Sequence, residues 1–444
     1  MSQVLHRSLL QEPVRAAGGD GVFIVDQDGK RYLDACGGAA VSCLGYSHPT
    51  VIEAIRAQAG TLAYAHTTFF TTEALEDLGD ALVNRAPGMS KVMLFCGGSE
   101  AMEAALKLSR QYFVERGETQ RELFIARRQS YHGNTLGALG VGGNVWRRKL
   151  FAPLLKQGHY VSPCFEYRER QADETAPAYA NRLADELEAK IVELGAERVA
   201  GFVAETVVGA TAGAVPPVES YMRNIREVCD KYGVLLILDE VMCGSGRTGS
   251  YFAYEQENIV PDIVAVAKGL AAGYQPIGAL LCKSAITDTI RDGSGFFQHG
   301  HTFMGHVTAV AAALATLAAI DDENLLDNVA VRGKSLRAGL RSALGEHPHV
   351  GDIRGRGLFI GVEFVADRNT KEPFDPALKM HKLVQKTAME NELLCYGMGG
   401  TIDGQYGDHV LIAPPYIIDA GDEAMILERF SAAVTSVMNS VGAK

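Results

Sequence analysis

The chain has 444 residues, 47% of them apolar and 21% charged, with a formal net charge of −11. That is the composition of a globular enzyme with a substantial core and room for two or more domains. The acidic balance argues against a nucleic-acid groove as its main business, and its longest apolar run, Val307–Ile320, falls short of the ~20 residues a bilayer-spanning helix needs.

The opening MSQVLHRSLLQEPVR lacks the long apolar region of a signal peptide. Eight scattered cysteines without CxxC spacing speak against a zinc ribbon or a thioredoxin-type site, and no metal site is expected. Such cysteines suit buried thiols in a reducing compartment, so a cytoplasmic location is expected. Val22–Asp34 alternates in hydropathy and carries an Asp-Gly turn signal, which predicts a β-hairpin. Thr50–Gly60 reads as a helix, Lys91–Cys96 as a strand, and Ala101–Val114 as a helix with Met102, Leu106 and Phe113 on one face. Glu122–Ala126, Val199–Ala204, Val234–Leu238 and Ile263–Ala267 are short apolar strands, several of them separated by helical stretches. This alternation predicts an α/β fold around a mostly parallel, buried sheet. The basic cluster Trp146–Lys149 reads as a surface or pocket-rim feature.

Beyond about residue 315 the character changes. Val307–Ile320 reads as a buried helix, Leu325–Leu344 as a helix and Leu358–Val365 as a strand. A helix from Pro376 to Asn391, a strand at Val410–Ala413 and a last helix after Asp419 complete a smaller α+β part. The expected division is a large domain at residues 50–315 and a small one from residues 1–49 and 316–444.

Three stretches carry chemistry. In CGGSEAMEAALKLSR (Cys96–Arg110) a strand ends, two glycines turn and a helix begins, so bare N–H groups and the helix dipole make an anion site. A plain strand-to-helix turn capped by Ser99 is the bland alternative. In LLILDEVMCGSGRTG (Leu235–Gly249) an apolar strand closes on Asp239, at the sheet edge where open α/β folds bind ligands. A carboxylate there can pair with a cationic ring nitrogen, or be structural. In PDIVAVAKGLAAGYQPIG (Pro261–Gly278) another apolar strand closes on Lys268. A desolvated lysine has a lowered pKa and becomes a nucleophile; the alternative is a buried Lys–Asp ion pair.

An anion cradle, a carboxylate and a nucleophilic lysine on one sheet edge are what pyridoxal 5′-phosphate (PLP) needs for its phosphate, ring nitrogen and aldehyde. With SYHGNTLGALG, VAETVVGATAGAVPP, HGHTFMGHVTA, RGRGLFIGVEF and DHVLIAPPYII, these stretches make the chain resemble the class III, ω-type aminotransferases. The resemblance spans nearly the whole chain. It implies the PLP-dependent transferase fold type I, with a seven-stranded-type central sheet plus a smaller α+β domain. It also implies a ping-pong transfer of an amino group from a primary amine or ω-amino acid to pyruvate or 2-oxoglutarate. By position, Lys268 is the Schiff-base lysine and proton shuttle, and Asp239 is the partner of the pyridinium nitrogen. Gly98 and Ser99 bind the phosphate, while Tyr131 and Val241 cover the two ring faces. His132 and Glu205 belong to the cofactor-binding group, His132 as a structural rather than catalytic member. Thr302 reaches the cofactor phosphate of a neighbouring subunit, which implies a homodimer with shared sites; a tetramer is equally compatible.

The chain also departs from the family. Many relatives carry a mobile arginine before the Pro-Pro motif, yet no arginine occurs between Arg368 and Arg429. Gly404 or Gln405 takes the position, leaving Glu205 without its usual charge partner. Gln405, Arg147 and Arg148 are the open alternatives for holding the substrate carboxylate. Thr206 stands where the family often has a proline after the glutamate. Phe69 matches a substrate-contact position, and Ala40, where some relatives have a large aromatic, suggests a roomy pocket. Same-fold reactions (aminomutase, epimerase, decarboxylase, phospho-lyase) use the same Lys268 and Asp239. A non-catalytic module fits the intact pair poorly, and a nicotinamide dehydrogenase lacks its GxGxxG.

Overall fold

The computed structural model describes residues 3–10 and 12–442. Its centre is a seven-stranded sheet in the order Lys91–Phe95, Gly278–Cys282, Ile263–Val266, Leu235–Asp239, Val199–Glu205, Leu123–Arg127, His159–Val161. Only Gly278–Cys282 runs against the others. The central strands are buried along their whole length, as expected where helices cover both faces of a parallel sheet. Gly278–Cys282 and His159–Val161 have no counterpart among the strands expected from sequence. The first directly follows the Lys268 loop, and the second is only three residues long.

Two four-stranded sheets flank the large one. Val350–Arg356, Phe359–Phe364, Asp408–Ile412 and Tyr396–Gly399 form an antiparallel sheet. The amino-terminal hairpin, Phe23–Asp26 with Arg31–Asp34, turns at Gly29 (φ +81°). It gains Ala16–Asp20 on one side and, in parallel, Leu393–Leu394 on the other. This strand pairing joins the two ends of the chain. The helix expected at Pro376–Asn391 is narrower, at Met380–Glu390, because Lys379 adopts a left-handed conformation (φ +50°) after a short 3-10 turn. Val307–Asp322 is the apolar helix, buried over most of its surface. Among the described residues no helix is long and apolar enough to cross a membrane.

Candidate active site

Register aligns the chemistry. Glu205 pairs directly with Asp239, and Asp239 with Ala265, so the carboxyl ends of three parallel strands stop level with one another. Asp239 is buried, and both its oxygens are partnered: Oδ2 lies 2.8 Å from His132 Nδ1, and Oδ1 accepts from the Val241 N–H at 3.0 Å. Three residues past Ala265, Lys268 opens a 3-10 turn with φ +48°, a left-handed conformation costly for a side-chain-bearing residue and concentrated at functional sites. Among the described residues no carboxylate lies within 4.0 Å of its amine, so the buried Lys268–Asp239 ion pair is not formed. Burial pushes the Lys268 ammonium down to about 8, against opposing pulls from Asp239, Cys243 and Glu205. Near neutral pH such an amine is a far better nucleophile than an ordinary lysine.

Glu205 is not without a charge partner. Arg127, at the end of the adjoining strand, lies 3.7 Å from its Oε2 and also donates to its backbone carbonyl. The Tyr131 N–H donates to Glu205 Oε1 at 3.4 Å. Burial still raises the Glu205 carboxyl, opposed by His132 and Arg127. Thr206 has its own reason to replace proline: its hydroxyl donates to Glu240 at 2.7 Å. Glu240 also accepts from the Ala253 and Tyr254 N–H groups, and burial lifts its carboxyl to about 7. The residue after Asp239 is thereby tied to the far side of the strand end.

Opposite Lys268, the helix Gly98–Glu115 begins at Gly97 with no side chain capping it. Gly97, Gly98 and Ser99 border the cavity, and no capping oxygen competes for the first N–H groups of the helix. A Cβ on Gly98 would sit 2.7 Å from a Val241 methyl, so glycine lets Val241 close on the backbone. Ser99 Oγ accepts from the Asn134 N–H at 3.1 Å, tying the helix start to the loop that carries Tyr131 and His132. Gly98, Ser99, Tyr131 and His132 border a cavity of about 470 Å³, and Glu205, Asp239, Val241 and Lys268 close it.

The other expected residues lie elsewhere. Ala40 is buried against Val207, Ala210 and Ala413, because the chain kinks at Gly38 and Ala39; its neighbour Val41 borders the cavity instead. Phe69 is 75% exposed, and Thr302 is exposed with its carbonyl accepting from the Tyr64 hydroxyl at 2.7 Å. Gln405 is exposed in a turn closed by Asp403 Oδ1. None of these four borders the cavity of its own chain. Sequence reasoning missed Val41, Gln275 and Arg127. Gln275 lies seven residues past Lys268 in the same motif, a signal that spacing alone offers.

The family model for class-III aminotransferases matches residues 6–434. An aminotransferase of Gibberella zeae is 45% identical over 97% of this chain and 85% of its own. A diaminobutyrate–2-oxoglutarate transaminase of Halomonas elongata is 35% identical over 96% of this chain and 90% of its own. The crystal structure of an omega transaminase from Pseudomonas jessenii in complex with PMP superposes with a TM-score of 0.91. It is 34% identical, covering 97% of this chain and 94% of that one. The shared fold is that of the type I PLP-dependent transferases. The chain belongs to the class III aminotransferase family, and it is an aminotransferase whose cofactor is pyridoxal 5′-phosphate.

Proposed function

We propose that this aminotransferase moves an amino group from a primary amine or ω-amino acid to a keto acid, pyruvate or 2-oxoglutarate, in two half-reactions at one site. One observation carries the reading: a desolvated Lys268 amine, with no carboxylate within 4.0 Å among the described residues, shares a cavity with a buried, His132-held Asp239. The Halomonas relative's name supports 2-oxoglutarate among the acceptors.

The residues fit the cofactor. The uncapped start of the helix at Gly98, with Ser99, would hold its phosphate. Lys268 would hold its aldehyde carbon, and Asp239 would face its ring nitrogen. Tyr131 and Val241 border the cavity and would enclose the ring. When bound there, the cofactor supplies an electron sink for bond cleavage at the carbon bearing the amino group. Lys268 Nζ takes the proton from that carbon and later returns one, a role its lowered pKa suits at neutral pH. His132 and the Val241 N–H fix the Asp239 carboxylate so that it stays oriented towards the cavity. Donor and acceptor use the same cavity in turn, so the kinetics are ping-pong.

Phe69 and Thr302 serve the cavity of a second copy in a homodimer. The exposure of Phe69, Phe70 and Phe303 supports this, since large exposed apolar patches mark interfaces. Eight free cysteines support a cytoplasmic location. The sheets support the division into residues 50–315 and 1–49 with 316–444, because the seven-stranded sheet lies wholly within the first part.

A donor panel fed to the holoenzyme with pyruvate or 2-oxoglutarate tests the reading. New alanine or glutamate is expected with at least one donor. An isomerised or decarboxylated donor, with no new amino acid, overturns it.

A further inference from the structure

A keto acid brings a carboxylate into the cavity, and a buried carboxylate needs a cation. Arg127 is committed to Glu205. Arg148 donates to the Gly140 carbonyl at 3.4 Å and lies over Tyr160, away from the cavity. Gln405 is exposed in its turn.

Arg147 differs from all three. It sits on the short helix Val145–Arg148, whose start is capped by Asn144. Its guanidinium lies 4.3 Å over the ring of Tyr131, which borders the cavity. Like Arg148, it has no carboxylate within 4.0 Å among the described residues and a buried Nε without a hydrogen-bond partner; the stacking on Tyr131 is what sets it apart. The charge is felt inside the site: it opposes the rise that burial gives the Tyr131 hydroxyl, and it adds to the burial-driven lowering of Lys268, though less than Asp239, Cys243 and Glu205 oppose it. The loop at residues 400–407, where relatives place their mobile arginine, packs on the same helix. A Cβ on Gly404 would lie 3.2 Å from the Trp146 nitrogen.

We propose that Arg147 is the carboxylate anchor of this site, its planar fork binding the carboxylate of the keto-acid acceptor over the Tyr131 side of the cavity. The assignment rests on the reading of the chain as a keto-acid transaminase. Arg147 determines specificity through binding and takes no part in bond cleavage. It is positioned by stacking on Tyr131, a geometry lysine reproduces poorly.

The test uses holoenzyme variants R147M, R147K, R148Q and R7Q, since Arg7 also acts on Tyr131. Two readouts are needed. The first is the dissociation constant of glutarate, a non-reacting dicarboxylate, measured by calorimetry. The second is the split of KM and kcat between a keto acid and an amine lacking any carboxylate. R147M is expected to weaken glutarate and raise the keto-acid KM by roughly 10- to 100-fold, with R147K in between. The half-reaction of the carboxylate-free amine and the cofactor absorbance should change by less than about threefold, which a merely structural arginine would not allow. R148Q should behave as the parent. Unchanged glutarate binding in R147M, no glutarate binding by the parent, or a loss confined to R7Q overturns the proposal. If the parent aminates no keto acid yet R147M still loses glutarate, the transaminase reading falls and the anchor stands.

Discussion

At the floor of the cavity both oxygens of Asp239 have partners, and Glu205 is held by Arg127 and the Tyr131 N–H. In the surrounding loops, a rim outside the cavity lining, no carboxylate among the described residues lies within 4.0 Å of the Arg147 guanidinium, and Phe69 and Trp146 stand 75% and 65% exposed. The floor is a polar network on strand ends in which Asp239 is fully held, while the buried His132 Nε2 and Glu205 Oε2 have no hydrogen-bond partner among the described residues. The rim is a set of loops and a short helix that carry a charge without a carboxylate partner among the described residues and exposed aromatics. On the proposed function, chemistry is lodged in the first and choice of substrate in the second, as is general for loops carried on a rigid scaffold.

The sharpest way to break this contrast is at the floor. Lys268→Met is expected to lower kcat by about 10⁴-fold or more, with the circular dichroism spectrum unchanged. A loss of only tenfold would mean that another base serves the reaction. A smaller effect concerns pH. Only the neutral amine attacks, and Lys268 lies at about 8 rather than the ordinary 10.5. Capture of cofactor by the apoenzyme should therefore rise about tenfold per pH unit up to roughly pH 8 and then level off. Stopped-flow absorbance would show it; a rise continuing past pH 10 would mean that the amine is not desolvated. The smallest effect belongs to the rim. Gln405→Ala should change the keto-acid KM by less than about threefold, because Gln405 is exposed and its own turn is closed by Asp403. A larger loss, read in steady-state kinetics, would place a second anion contact there.

The floor was legible in the sequence for a physical reason. Asp239 and Lys268 are polar residues that close apolar runs, and such residues need a cause. Glu205 follows the same logic, and parallel register then brings it beside Asp239. Arg127 closes a strand in the same way, but an arginine at a strand end also suits a solvated edge, and only the fold shows it buried against Glu205. Ala40 lies off the cavity of its own chain because its orientation depends on a kink with positive φ at Gly38, which no hydropathy pattern encodes. Among Gln405, Arg147 and Arg148 the sequence offers no preference, since their reach depends on how residues 400–407 cross the helix at 145–148.

That crossing limits any attempt to transplant the relatives' mobile arginine. Gly404 has φ +90°, and a Cβ there would lie 3.2 Å from the Trp146 nitrogen and 3.5 Å from the Val145 Cβ, so a grafted side chain starts strained and against the 145–148 helix. Engineering of acceptor scope must start by reshaping the 145–148 turn, or by moving the charge already installed on it.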